Sequence, residues 1–225
     1  MHEEIACIYG PPPVSLDENE RLIVIFDLGG VLVDLNVKRC IHEFVKLMGE
    51  ENIDRVLGLH PQTDDLVNLS IANRQLMRDY EQGTITTAEF LGKVREFCKP
   101  HTTDEQIKNA WFSMIDRLPP DRLAYIARLR RSGIRTALLS NTNELHFEYL
   151  KKKYNLNAYF DRMFTSNELH LSKPDPEIFL QVESLLPTLG AHVFFIDDMQ
   201  VNREAAERTC GWQCFETIEQ MPDLF

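Results

Sequence analysis

Three short apolar runs punctuate the chain, at Leu22 to Phe26, Thr136 to Leu139 and His192 to Ile196. None alternates with polar positions. Continuous runs of this length suit strands covered on both faces, as in a parallel sheet between layers of helices. Each run ends on polar side chains: Asp27, then Ser140 and Asn141, then Asp197 and Asp198. In open α/β sheets, ligands bind beyond the carboxyl ends of the strands. Trp212 to Phe215 is expected to form a last strand.

Helical patterns fill the spaces between the runs. Pro119, Pro120 and Asp121 open a helix that turns Leu123, Ile126 and Leu129 inward, and Gly133 closes it. Asn202 to Arg208, ahead of Gly211, repeats the arrangement. Residues 37–108 read as a helical insert, with Ile41, Phe44, Val45 and Met48 at helical spacing. A second amphipathic stretch around Ile71 to Tyr80 is broken by Gly83, and Thr86 to Glu89 forms a cap before Phe90, Val94 and Phe97. These stripes are the apolar faces of packed helices. Gly10 and Pro11 to Pro13 forbid regular structure in residues 1–20, which read as an N-terminal arm. The order predicts an α/β fold, a doubly wound and mainly parallel sheet. Its core takes residues 21–36 and 109–225, and the insert takes 37–108.

A length of 225 residues suits one such core carrying an insertion. There are 24 Lys plus Arg against 35 Asp plus Glu, a formal charge of −11, so nucleic acid and anionic membrane are not expected partners. No apolar run reaches the roughly 18 residues of a membrane span, and the early acids of residues 1–20 do not match a signal peptide. Cys7, Cys40, Cys98, Cys210 and Cys214 are scattered and form no CxxC pair, which suits a reducing compartment. Cys210 and Cys214 read as small apolar packing groups. A cytoplasmic protein is expected.

The candidate chemistry lies at the strand ends and at Lys173. Singly, each residue has an ordinary explanation: Asp27 as a helix cap, Ser140 and Asn141 as a turn, Lys173 as a loop cation. The adjacent Asp197 and Asp198 repel each other unless a cation compensates. Together they form a set suited to phosphoryl transfer, which needs a nucleophile, donors for the phosphoryl oxygens and cations for the charge. A carboxylate can be that nucleophile, and Mg²⁺ takes one or two carboxylates plus substrate oxygens. His146 and His170 read as helix-surface or capping residues, while His42, His60, His101 and His192 share no metal-ligand spacing. Lys151 to Lys153 reads as a solvated helix end, and Gly29-Gly30 lacks the spacing of a dinucleotide loop.

The segments FDLGGVLVD (26–34), LLSNTN (138–143), SKPDPEIF (172–179) and FFIDDMQVN (194–202) resemble, in order, the four motifs of the haloacid dehalogenase (HAD) superfamily. The resemblance spans residues 22–215, and the insert resembles the helical C1 cap of subfamily I. YEQGTITTAEF (80–90), AWFSM (110–114) and LSNTNELH (139–146) look most like the group of the bacterial alpha-D-glucose-1-phosphate phosphatases.

The resemblance implies a Mg²⁺-dependent phosphatase of a small phosphorylated metabolite, such as a sugar 1-phosphate, working through an aspartyl-phosphate on Asp27. Asp27 would also bind the metal, with the Gly29 carbonyl and Asp198, while Asp197 and Asn202 stand behind them. Ser140, Asn141 and Lys173 would hold the phosphoryl group. Many family phosphatases carry an acid–base Asp where this chain has Gly29. Losing such help costs about 10²–10⁴-fold, or about 3–5 kcal/mol of barrier, and matters least for good leaving groups. Two alternatives are a metal-independent 2-haloacid dehalogenase and a catalytically weak HAD-like binding protein.

Overall fold

The computed structural model describes residues 21–58, 75–187 and 191–224. The expected arm at 1–20, with Cys7, lies outside them, as do His60 and the start of the stretch from Ile71.

Strand β1 (Arg21–Phe26) is the middle of a five-stranded sheet. It pairs in parallel with β4 (Arg135–Ser140) on one side and β6 (Ala191–Ile196) on the other. Beyond these lie β5 (Arg162–Thr165) and β7 (Gln213–Phe215), also parallel, giving the order β5-β4-β1-β6-β7. Alternate residues of β1 feed opposite layers. Leu22, Val24 and Phe26 pack with Ile126 and Leu129 of helix α6 (Pro120–Arg131) and with Phe147 and Leu150 of α7 (Glu144–Tyr154). Ile23 and Ile25 pack with Ile178, Phe179 and Val182 of α9 (Pro176–Leu185) and with Ala205 and Ala206 of α10 (Gln200–Cys210). Burial on both faces is why the strand reads as an unbroken apolar run. The fold is the α/β, doubly wound architecture expected.

The sequence pattern does not reveal β5, an edge strand that starts on an exposed Arg162. It also misses a two-stranded antiparallel ribbon, β2 (Asp34–Leu35) with β3 (Ile115–Arg117), where the chain leaves the core and returns. Arg117 and Arg122 both pair with Asp34 there, at 2.9 and 2.8 Å.

Between β2 and β3 lie α1 (Val37–Met48), α2 (Glu50–Leu57), α3 (Gln75–Glu81), α4 (Thr87–Arg95) and α5 (Asp104–Phe112). They share a hydrophobic cluster built on Phe44, Ile53, Tyr80, Phe90, Ile107 and Trp111. That cluster continues through Met114, past residue 108. Thr86 and Glu89 form the capping box the sequence suggests, and Thr103 with Gln106 forms a second one. Cys40, Cys98, Cys210 and Cys214 are free thiols; Cys40 is buried, but Cys210 and Cys214 are only half-buried.

Candidate active site

Because β4, β1 and β6 are neighbours and parallel, their carboxyl ends bring Ser140, Asp27 and Asp197 to one edge. The Asp27 amide donates to the carbonyl of Ile196 at 2.8 Å, continuing the sheet register into the site. The chain then turns sharply: Gly30 N donates to Val33 O at 2.9 Å and Val33 N to Leu28 O at 2.7 Å. The turn presses Gly30, in the left-handed region at φ +77°, against the Asp198 carboxylate.

Lys173 comes from a loop between α8 (Ser166–Leu169) and α9. It is buried, not an exposed loop cation, and its Nζ lies 3.0 Å from Asp27 Oδ1 and 2.5 Å from Asp197 Oδ2. It also donates to Leu139 O at 3.0 Å. Asn141 fixes this loop from the opposite strand end: its amide nitrogen donates to Lys173 O and its amide oxygen accepts from Lys173 N, both at 2.8 Å. The Asn141 side chain is therefore occupied as a clamp on Lys173.

Asp197 is fully buried and saturated. Oδ1 accepts from Met199 N and Asn202 Nδ2, both at 2.9 Å, and Oδ2 accepts from Lys173 and, at 3.1 Å, from Asn202. Arg203 braces the same turn, donating to the carbonyls of Asp197 and Asp198 at 2.7 and 2.8 Å.

Carboxylate oxygens of Asp27, Asp197 and Asp198 lie within 4.8 Å of one another. Three carboxylates against one ammonium leave two negative charges to be compensated, which matches a divalent cation. Burial pushes the Asp27 carboxyl up to about 6, and neighbouring Asp197 adds to this while Lys173 opposes it. Burial and Asp197 also raise Asp198. Burial would lower Lys173, but Asp27 and Asp197 outweigh it and its net shift is upward. Asp27 Oδ1 is buried without an aligned hydrogen bond, the Lys173 contact being an ion pair off the hydrogen-bond direction. With Asp197 saturated, Asp27 and Asp198 are the carboxylates able to hold a metal.

A cavity of about 400 Å³ opens beside Lys173, between the sheet edge and the helical insert. Gly29, Ser140, Asn141, Lys173 and Asn202 form its floor, and Met77, Arg78, Glu81 and Gln82 of the α3 segment form one wall. His146 lines it as well, buried and not on the helix surface. Its ring stacks on Trp111, with centroids 4.9 Å apart and planes 12° off parallel, and Nε2 donates to Trp111 O at 2.9 Å. Burial pushes this imidazole down to about 4, so it is neutral at pH 7. Asn143 caps α7 from His146 N at 3.1 Å and accepts from Trp111 Nε1 at 3.3 Å. Among the described histidines, nothing in the spacing marks His146 out; its place at the third position of α7, directly after the 140–143 loop, is the available clue.

The helices and acids on this edge have counterparts elsewhere. A model of the haloacid dehalogenase-like hydrolases matches residues 22–208. A D-ribitol-5-phosphate phosphatase of Bacteroides thetaiotaomicron is 29% identical over 199 residues, covering 86% of this chain and 90% of the relative. A phosphorylated carbohydrates phosphatase of Thermotoga maritima is 25% identical over 206 residues, covering 89% and 87%. A HAD family enzyme of B. thetaiotaomicron, solved with magnesium and inorganic phosphate, is 30% identical with a TM-score of 0.70, covering 87% of this chain and 93% of that one. With the family pattern running through both the strands and the acids at their ends, the chain belongs to the haloacid dehalogenase-like hydrolases.

Proposed function

We propose that this protein is a Mg²⁺-dependent phosphatase of a small phosphorylated carbohydrate, working through an aspartyl-phosphate on Asp27. The observation that carries the reading is the cluster of buried Asp27, Asp197 and Lys173 with the more exposed Asp198, three carboxylates to one ammonium, beside a cavity of sugar-phosphate size that Lys173, Gly29 and Ser140 line. Relatives named for phosphorylated carbohydrates support the substrate class, though not the glucose-1-phosphate subgroup in particular.

Asp27 attacks phosphorus, the ester P–O bond breaks, and the phosphoryl group passes to the carboxylate. Water then attacks the acyl phosphate, releasing inorganic phosphate and restoring Asp27. Asp27, Asp198 and the Gly29 carbonyl would hold Mg²⁺, which when bound supplies charge compensation for the carboxylates and the phosphoryl oxygens. Lys173 adds a fixed positive charge, and the Ser140 hydroxyl donates to a phosphoryl oxygen. Asn141 contributes through its main chain and by clamping Lys173, since its side chain is already committed. Asp197 and Asn202 hold Lys173 and the 197–199 turn in place. Gly29 brings no proton to the leaving oxygen, so water or a well-stabilised leaving group takes that part.

The test is phosphate release from sugar 1-phosphates, sugar 6-phosphates, pentitol phosphates, nucleotides and acetyl phosphate, each with Mg²⁺ and with EDTA. Turnover of at least one carbohydrate ester, lost with EDTA and in Asp27→Asn, is expected. No release from any ester with Mg²⁺, or undiminished release by Asp27→Asn, overturns the reading. Metal-independent release of halide from a 2-haloacid would replace it with the dehalogenase alternative.

A further inference from the structure

Four consecutive residues at the end of α3 are fastened to the core. The Tyr80 hydroxyl accepts from Leu145 N at 3.2 Å and bonds to the Thr87 hydroxyl at 2.9 Å, which in turn contacts the Glu144 carboxylate. Glu81 O accepts from the Ser166 hydroxyl at 2.6 Å, and Gln82 O accepts from His170 Nδ1 at 2.8 Å. Gly83, at φ +65°, lies so close to the main chain that a Cβ would sit 2.2 Å from Asn167 O. The partners at 144–145 and 166–170 all belong to the core, so this end of the insert is docked at several independent points.

Ser166 is the contact with reach into the reaction. It is fully buried, and its Oγ accepts from Thr142 N at 3.0 Å. Its one hydroxyl hydrogen has two acceptors within range, Glu81 O at 2.6 Å and Thr142 O at 2.9 Å. Glu81 belongs to the cavity wall, and Thr142 follows directly on Ser140 and Asn141. A buried hydroxyl left without an acceptor is costly. Here neither position leaves one: docked, the hydrogen goes to Glu81; undocked, it falls back on Thr142.

We propose that Ser166 is a positioning residue that registers the α3 wall of the cavity against the phosphoryl-binding loop 140–142. This rests on the reading of that loop and cavity given under Proposed function. The wall bearing Met77, Arg78, Glu81 and Gln82 faces the part of the substrate beyond the phosphoryl group. Loosening the joint therefore weakens recognition of a carbohydrate ester and spares a substrate with almost nothing beyond phosphorus.

Two variants test it, Ser166→Ala and Gly83→Ala; the second alters no hydrogen-bonding group and acts from the insert side alone. In each, kcat/KM for D-ribitol 5-phosphate and glucose 1-phosphate is compared with that for acetyl phosphate, with Mg²⁺ present. In Gly83→Ala a fall of about tenfold or more for the carbohydrate ester, carried by KM, is expected, with acetyl phosphate changed less than about threefold. Ser166→Ala also strips the Thr142 amide of its acceptor, so both substrates fall, the carbohydrate ester by more. Equal falls on both classes, or no change on either, overturn the proposal. Hydrogen exchange gives a readout that needs no turnover. Gly83→Ala should speed exchange in the segment 140–146 as well as in 75–90, leaving 22–26 unchanged; acceleration confined to 75–90 also overturns the proposal. Absence of carbohydrate turnover in the unaltered protein, with this exchange coupling present, would count against the proposed substrate and not against the joint.

Discussion

Gly30 and Asp198 are in contact through a missing atom: a Cβ on Gly30 would fall 2.2 Å from Asp198 Oδ2. The glycine thus lets the 28–33 turn close on the carboxylate that, with Asp27, is able to hold a cation. Gly30→Ala must push that carboxylate aside, and it also strains a left-handed backbone by about 1–2 kcal/mol. Displaced support for a metal ligand typically costs 10–100-fold in affinity. The Mg²⁺ concentration giving half-maximal activity is expected to rise by about that factor, measured by metal titration of phosphate release. An unchanged midpoint in folded Gly30→Ala would remove Asp198 from the metal site.

The acids were readable because each ends a continuous apolar strand, and parallel pairing of β4, β1 and β6 obliges those ends to share an edge. Lys173 follows no strand. Its burial comes from Asp27, Asp197 and the Asn141 clamp, none adjacent in sequence, so residue type alone suggested an exposed loop and the motif resemblance was needed to place it. Ser166 gives no sign, and the 80–83 turn shows only in the motif resemblance, because the joints at Glu81 and Gln82 use main-chain carbonyls, which every sequence possesses. The burial of His146 is hidden for a related reason: its stacking on Trp111 depends on how α5 packs against α7, not on local spacing. Strand β5, at the sheet edge, is only four residues long and opens on an exposed Arg162, so it carries no continuous apolar run.

Lys173 sits between two buried carboxylates, with its ammonium 2.5 Å from Asp197 and 3.0 Å from Asp27. Lys173→Met leaves those charges uncompensated, and breaking a buried pair in this way costs about 3–5 kcal/mol. Adding Asp197→Asn removes one of the stranded charges. The double variant is therefore expected to be less destabilised than the sum of the two singles, by about 1 kcal/mol or more. Urea unfolding without metal measures this; additive losses would mean that the pair does not interact energetically.

Gly29 differs from Gly30 in that its backbone is not in the left-handed region, so a side chain there meets no conformational strain. Space is the obstacle. A Cβ would lie 3.1 Å from Leu35 Cδ1, the tip of a partly exposed side chain at the cavity edge. Trimming that tip with Leu35→Ala makes room for Gly29→Asp, whose carboxyl can protonate a leaving oxygen. The double variant is expected to hydrolyse an alkyl ester such as a sugar 6-phosphate faster by up to about 10²-fold, the lower end of general-acid effects. Acetyl phosphate, with its good leaving group, should gain far less. Equal gains on both, or none on the alkyl ester, would show that proton delivery is not what Gly29 withholds.

His146 ties the stability of the fold to pH. Burial lowers its pKa from an ordinary 6.5 to about 4, while its Nε2 hydrogen bond to Trp111 O opposes the shift. The sign follows from proton counting: between these two values the unfolded chain binds a proton at this position and the folded chain does not. Its contribution is fully present above pH 6.5 and is lost as pH falls through that window toward about 4. The whole loss is on the order of 3 kcal/mol. His146→Phe keeps an aromatic ring for Trp111 to stack on and removes the titration. Its missing hydrogen bond to Trp111 O costs about 0.5–1.5 kcal/mol, independent of pH. The unaltered protein should therefore be the more stable at pH 7, and its advantage should shrink or reverse by pH 4. Chemical unfolding of both proteins across that range measures the difference directly, so that the other titrating groups cancel. A constant difference would mean that His146 accepts its proton in the folded state as readily as in water, and that its ring is not shielded from solvent beside Trp111.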